Sequence, residues 1–306
     1  EAAVLCGLGG VIARPYEEEG VEGVDADTPP PHLCGGLDRL GWLTWLGHTC
    51  GSKRVEVLSQ RSTASSRCTG ECASSVTLLS ELIDKIKSGR AEGLYMYDVS
   101  IAKRLPSVMS AFRLPVHFAH DYLKRTRREH RFSSSWPTLF LGARGTRSTL
   151  HLDQWHGHFW MVCLVGCKRW TLFDPEDTPY LYPDWSKGGL HPAFPSLHEL
   201  QARPDLYPLF PRARRSEVVV HAGEVLFVPG GTPHAVENLT DSLAYAGNFV
   251  DDSNLSNVLE EMRWLAMRDK QVGEAMAALE EMDMAAEEEA DEREALLAEE
   301  LVVGLA

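Results

Sequence analysis

Three side chains in this sequence are spaced so that they could hold one metal ion. In "STLHLDQW" (Ser148–Trp155), His151 and Asp153 stand two apart in an apolar run. Strand side chains alternate, so residues two apart share a face and Leu152 turns to the other. A neutral imidazole beside a carboxylate is two-thirds of the 2-His-1-carboxylate set that binds non-haem Fe(II) with positions left open. Far along the chain, "HAGEVLFVPGGTPHAVEN" places His234 just after a Pro-Gly-Gly break, at the head of another strand. Strands distant in sequence can converge inside a barrel, so His234 is expected to complete the set. Such donors leave room for a chelating cosubstrate and O2, whereas zinc more usually keeps one open position. Taken alone, H-x-D also reads as a His–Asp hydrogen bond at a strand end.

A lysine belongs to the same argument. In "VGCKRWTLF", a hairpin is expected at Val165-Gly166-Cys167, and Lys168 opens a strand expected to pair back against the His151 strand. An ammonium facing a barrel interior needs an anion to offset its burial, and the distal carboxylate of 2-oxoglutarate would be one. In isolation the same residue reads as an exposed hairpin lysine. His156 and His158 fall on the other strand parity or in a loop opened by Gly157, and are expected to meet substrate rather than metal. Trp155 shares the His151 parity, and Trp155, Trp160 and Trp170 read as barrel packing. Pro175-Glu176-Asp177-Thr178 reads as a capped turn, not an acid–base pair.

These residues need a sheet to carry them. "WPTLFLGARG", "STLHLDQW", "HFWMVCLVGCKRWTLF" and "SEVVVHAGEVLFVPGG" are β-rich runs broken by glycine turns, with a second hairpin expected at Ala222-Gly223. Short strands of this kind predict an antiparallel sandwich or small barrel. Upstream, "AAVLCGL" predicts a strand and "LLSELIDKIKSG" a helix stopped at Gly89, with "GLYMYDVS" as the next strand. From Asn254 the pattern of Leu, Met, Ala and Glu predicts helices. The first, with Trp264, is expected to pack on the barrel. The acidic part beyond Asp269 is expected to be loose or buried only in a dimer.

The bulk numbers remove some classes. The 306 residues carry a formal charge of −14, much of it in "EEMDMAAEEEADEREALLAEE", so wholesale binding to nucleic-acid phosphates is not expected. The basic run Lys124–Arg131 reads as a solvated face. No run reaches the length of a membrane span. Seven cysteines without a compact framework fit a reducing compartment. Cys68/Cys72 and Cys163/Cys167 form C-x3-C pairs that read as idle thiols. The sequons at Asn238 and Asn254 would matter only in a secreted protein. The chain opens at Glu1 without an initiator methionine, which predicts a missing N-terminus.

"STLHLDQW", "VGCKRWTLFDPEDTPYLYP" and "HAGEVLFVPGGTPHAVEN" resemble the JmjC family of Fe(II)- and 2-oxoglutarate-dependent oxygenases. "LYMYD" and "GNF" resemble its phosphatidylserine-receptor-like branch; "HLD", "KRWTLF" and "PEDTPYLYP" resemble the branch associated with small heat-shock proteins. The resemblance implies a mainly β fold with α elements. Its double-stranded β-helix (cupin, jelly-roll) core would span 40–253, after an N-terminal strand and acidic insert (1–39) and before a helical, acidic tail (254–306). It implies His151, Asp153 and His234 as iron ligands, with Lys168, Tyr95, Ser148 and Asn248 around 2-oxoglutarate. Ala246 and Met161 depart from the pattern where a threonine and an asparagine are expected. The implied reaction is O2-dependent hydroxylation of a protein or peptide side chain, lysine foremost. Demethylation is the less favoured outcome, because no histone-reader module accompanies the domain. The competing reading is an inactive JmjC-like adaptor. A nuclear or cytoplasmic location and a homodimer through the C-terminal helices complete these expectations.

Overall fold

The stretch His158–Val165, "HFWMVCLV", shows no polar alternation, and in the computed structural model all 8 residues are buried. A strand this apolar on both faces belongs in the middle of a layered fold. The structure describes residues 3–5, 39–60, 73–112, 118, 120–125, 135–187 and 191–281. Its strands are β1 (Ala3–Leu5), β2 (Arg54–Ser59), β3 (Ala73–Leu78), β4 (Leu94–Ser100), β5 (Thr138–Gly142) and β6 (Arg147–His151), followed by β7 (His158–Val165), β8 (Cys167–Phe173), β9 (Arg215–His221), β10 (Val225–Val228), β11 (His234–Asn238) and β12 (Ser242–Phe249). They form one sheet of order β1-β10-β7-β12-β5-β4-β2-β3 and a second of order β6-β11-β8-β9. From β5 onward most successive strands change sheet, which is the double-stranded β-helix expected from the sequence. The N-terminal strands widen the larger sheet.

That sheet-hopping corrects two expectations. The turns at Gly166 and at Ala222-Gly223 are not hairpins: β7 and β10 lie in the large sheet, β8 and β9 in the small one. Nor does Lys168 sit on a strand paired with β6: β11 lies between them, and β8 pairs with β11 and β9. A tight glycine turn between two apolar runs reads the same in sequence whether the strands pair or part. At Gly166 the backbone has φ +78°, and a Cβ there would collide with the Asp241 carbonyl.

Two apolar layers follow from the alternation along β7. Phe159, Met161 and Cys163 face the barrel interior with Phe140, Trp170, Leu226 and Val236. Trp160, Val162 and Leu164 face outward, against helices α1 (Arg39–Cys50) and α2 (Leu79–Lys87). Helix α2 is the one expected before Gly89. Its Leu79, Leu82, Ile83 and Ile86 are buried, each contributing about 1.5–3 kcal/mol. Helix α1 was not anticipated: glycines at 41 and 47 and threonines at 44 and 49 obscure its pattern, although Trp42, Leu43 and Leu46 bury one side.

The C-terminal part also differs from expectation. Helix α3 (Leu255–Ala266) buries Leu255, Val258, Leu259 and Met262, but Trp264 is 68% exposed and does not pack on the barrel. Residues 270–281 are helical, and their Val272, Ala275 and Leu279 join the same apolar cluster. The segment after Asp269 is therefore not loose as far as residue 281. Trp155 belongs to this cluster and not to the barrel. The acidic Gly/Pro-rich insert, Cys68 and Cys72, the basic run beyond Arg125 and the tail beyond 281 lie outside the described residues. Among those described, no helix is long and apolar enough to cross a membrane.

Candidate metal centre

His151 is the last residue of β6, and Asp153 lies two residues beyond it in extended backbone (φ −71°, ψ 160°). The alternation thus persists past the ladder, and the Asp153 carboxylate stands 3.9 Å from His151 Nε2. His234 opens β11 directly across from His151, with ring centroids 4.3 Å apart. Its Nε2 is 4.0 Å from the other Asp153 oxygen. One donor atom from each of the three residues lies within 4.8 Å of the others.

The imidazoles are set for ligation. His151 Nδ1 is 2.6 Å from the Thr149 carbonyl, and His234 Nδ1 is 2.9 Å from the Thr232 carbonyl. A carbonyl only accepts, so each Nδ1 carries a proton, and in the neutral ring Nε2 is the nitrogen left to ligate. Burial, reinforced by the neighbouring His151, depresses His234 to about 3, so it is neutral at any ordinary pH. Burial pushes Asp153 up, and His151 opposes that rise. Two imidazole nitrogens and a desolvated carboxylate are a donor set for a cation. They fit a divalent metal.

The remaining predicted residues are spread along the interior. Asn248 is in β12, and its side chain draws near Asp153 without reaching hydrogen-bond geometry, so its Nδ2 is buried and unpartnered. Lys168 is fully buried, and Tyr95 is buried with its ring centroid 5.7 Å from the ammonium. Ser148 is buried in β6, paired with Val236. Ala246 and Met161 are cross-strand partners in the interior apolar cluster, so the two departures form one patch.

His156 and His158 are not ligands of this group. His158 Nδ1 accepts from the Gly230 amide and its Nε2 meets Ser253, which ties the Pro-Gly-Gly turn to the end of the sheet. His156 lies in a tight turn, but the positive φ falls on Trp155 and His156 rather than on Gly157. Pro175–Thr178 lie in a turn whose cap is the preceding residue, Asp174, and Asp177 pairs with Arg214.

Sequence reasoning missed four residues. Asn238 accepts a 2.7 Å hydrogen bond from Lys168 Nζ, yet its sequon drew attention only as a glycosylation signal. It is 1% exposed. Asp98 sits at φ +53° where the β4–β5 ladder breaks, close enough to Asp153 for the two carboxylates to repel. His191, from the Pro-rich connection, also faces Asp153. Glu261, from α3, lies 3.7 Å from His156 and 4.0 Å from His191. Nothing in the local spacing of the last three marks them.

A cleft of ≈ 600 Å³ opens beside Asp153. His156, Trp185, His191, Glu260, Glu261 and Trp264 line it, with no lysine or arginine among its lining residues. Burial pushes Glu261 up to about 7.

Two facing antiparallel sheets with a His-Asp-His cluster at one end define the class, and the chain belongs to the cupin-like domain family, whose model matches residues 55–255. Its relatives carry the JmjC likeness. It is 29% identical over 191 residues to the human 2-oxoglutarate and iron-dependent oxygenase JMJD4 (60% of this chain, 43% of that protein). It is 30% identical over 182 residues to the arginine-specific demethylase JMJ22 of Arabidopsis thaliana (56% and 33%). It is 40% identical over 104 residues to rat HSPB1-associated protein 1 (33% and 21%). The chain thus spans less than half the length of each of these relatives.

Proposed function

We propose that the protein is an Fe(II)- and 2-oxoglutarate-dependent oxygenase that hydroxylates a protein side chain, lysine foremost. The observation that carries the reading is a pair of opposite deficits on one ladder. At His234 a carboxylate and two imidazoles converge with no lysine or arginine paired to them among the described residues; at Lys168, four residues further along the same β8–β11 pairing, a buried ammonium has no carboxylate beside it among those residues. Among the described residues no ion pair includes Lys168. A dicarboxylate that chelates a metal through one end satisfies both. The name of the JMJD4 relatives, 2-oxoglutarate and iron-dependent oxygenase, supports the same pair of cofactors.

In this reading His151, Asp153 and His234 hold Fe(II), while Lys168 receives the far carboxylate beside Tyr95, with Ser148 and Asn248 completing the pocket. With both bound, oxidative decarboxylation of 2-oxoglutarate by O2 to succinate and CO2 supplies the oxidising power for oxygen insertion into a C–H bond. The chain's own contribution is placement. The Nδ1 hydrogen bonds aim two imidazoles, burial keeps His234 neutral, and the apolar interior seals the Lys168 end from water. The cleft beside Asp153 then selects the substrate. Two exposed tryptophans and two glutamates with no competing cation suit a basic side chain.

Succinate formation under Fe(II) and O2 tests this, with lysine-bearing peptides as substrate and mass spectrometry for one added oxygen. A metal-loaded protein that neither binds 2-oxoglutarate nor forms succinate is the adaptor instead. The Ala246–Met161 patch would then be the reason, because it is apolar where the JmjC resemblance implies a threonine and an asparagine.

A further inference from the structure

The Lys168 ammonium is the first member of a buried polar network. Asn238 Oδ1 accepts from Lys168 Nζ at 2.7 Å and from Ser242 Oγ at 2.8 Å. Asn238 Nδ2 donates to Thr146 Oγ1 at 2.7 Å, and the Thr146 hydroxyl donates in turn to the Ala143 carbonyl at 2.7 Å. All four side chains are buried. The terminal carbonyl sets the direction of the whole chain. Thr146 spends its proton on Ala143, so its oxygen must accept from Nδ2, and Oδ1 must face the lysine. A flipped amide would set its NH2 against an ammonium.

The backbone is cut to fit this network. Gly142 on β5 passes so close that a Cβ there would collide with Asn238 Nδ2 and come within 2.8 Å of both Thr146 Oγ1 and Tyr95 Cδ2. The network and the Tyr95 ring therefore pack against the same glycine. Nothing in the metal cluster touches Asn238, which lies at the other end of β11 from His234.

The partner's neutrality matters more than its presence. An aspartate in the same place would give the lysine a counter-charge inside the fold, and a ligand carboxylate would then have to compete with it. An amide aims the ammonium through a strong hydrogen bond and leaves its charge uncompensated. We propose that Asn238 is the positioning residue of the anion subsite: it fixes Lys168 and, by being an amide rather than a carboxylate, reserves the lysine's charge for a carboxylate of the ligand. This rests on the reading that Lys168 receives the far carboxylate of 2-oxoglutarate.

The test is a titration of the Mn(II)-loaded full chain with 2-oxoglutarate and with N-oxalylglycine, together with the thermal unfolding midpoint of each variant without ligand. Asn238→Asp is expected to weaken both ligands at least about tenfold. Mn(II) affinity should stay as in the wild type, and the midpoint should be equal or higher because the lysine is paired. A purely structural asparagine predicts the opposite, a lower midpoint with ligand affinity kept in the folded fraction. Asn238→Ala, neutral and without an acceptor, should weaken the ligands by a smaller factor and lower the midpoint. Wild-type affinity in either variant overturns the proposal. If Asn238→Asp does not fold, Asn238→Ala decides alone. Lys168→Met separates this failure from that of the underlying reading. If Lys168→Met binds 2-oxoglutarate as well as the wild type does, or if the wild type does not bind it, the cosubstrate reading falls and the proposal with it. If Lys168→Met loses binding and Asn238→Asp keeps it, only the role of Asn238 is lost.

Discussion

The two ends of the β8–β11 ladder solve opposite electrostatic problems with the same backbone. At the His234 end, ligand atoms converge with no lysine or arginine paired to them among the described residues: both Nδ1 protons are tied to carbonyls, and both Nε2 atoms lie beside Asp153. At the Asn238 end, a charge is present and its counter-ion is lacking, because the only hydrogen-bond acceptor found at Lys168 among the described residues is a neutral amide. The first end is partly exposed at His151 and Asp153, and opens on the cleft that α3 helps to wall. The second is sealed. Together they teach that a single ligand with a metal-chelating head and an anionic tail would be read at two independent points, so the two should fail independently when altered.

The largest effect is expected at the open end. His151→Ala should weaken Mn(II) or Fe(II) binding by about a hundredfold or more and abolish succinate formation, since altering even an outer-shell group costs about 10–100-fold. The fold should survive because His151 is only part-buried, which circular dichroism and the unfolding midpoint would verify. Loss of folding together with metal binding would break the comparison, making this end a part of the core.

At the sealed end, Lys168→Met should reduce 2-oxoglutarate affinity at least about tenfold while leaving metal binding nearly unchanged. The same variant should unfold at a higher temperature when no ligand is present, because it removes a buried, uncompensated charge and keeps apolar volume. Calorimetry reads both quantities. A variant that binds 2-oxoglutarate normally would show that the two ends do not serve one ligand.

A smaller effect follows from pH. Burial lowers Lys168 from its ordinary 10.5 to about 8, a base depressed by folding. Below about pH 8 it is charged in both folded and unfolded states, and the burial penalty is present in full. As pH rises from about 8 towards 10.5 the folded state sheds its proton first, so stability contributed at this site should increase across that window. The groups facing it are the Tyr95 ring, the neutral Asn238 and the Cys163 thiol, which burial pushes up to about 12 and which stays protonated throughout. The ligand-free wild type should therefore gain a few degrees on Lys168→Met over that range. A difference that is flat in pH would mean that the ammonium is already compensated.

The smallest effect belongs to the cleft. Glu261→Gln should raise the KM for a lysine peptide roughly two- to fivefold, the range of a partly exposed charge contact. Metal and 2-oxoglutarate binding should be untouched. An unchanged KM, or equal turnover of a glutamine peptide by the wild type, would remove the basic side chain from the proposed substrate class.

How much of this could be read beforehand differs from residue to residue. His151 and Asp153 were legible because alternation is local and persists one step past the end of β6. His234 was legible only together with them, since nothing within "GGTPHAVEN" says what it faces. Lys168 was legible as a buried cation but placed beside the wrong strand, because a glycine turn does not reveal whether its flanking strands pair or part. Asn238 looked like a sugar acceptor, and folding turned it into the lysine's partner. Trp264 looked like core because its helix is amphipathic, but the buried stripe runs through Leu255, Val258, Leu259 and Met262, and Trp264 falls off it.

What the amino-acid order determined by itself is therefore the chemistry available and its local presentation. It set which residues alternate onto one face, which run is apolar enough to be covered on both sides, and where glycine turns interrupt the strands. Such properties depend on neighbours two to four positions away, and backbone geometry carries them without help. Tertiary structure alone decided which faces meet. The strand hopping that brings β6 against β11, the amide that aims Lys168 from β11, and the helix that brings Glu261 to the mouth of the cleft all join residues far apart in the chain. Their contacts arise from closing two sheets around one interior, where burial makes each unpaired charge costly enough to need a partner.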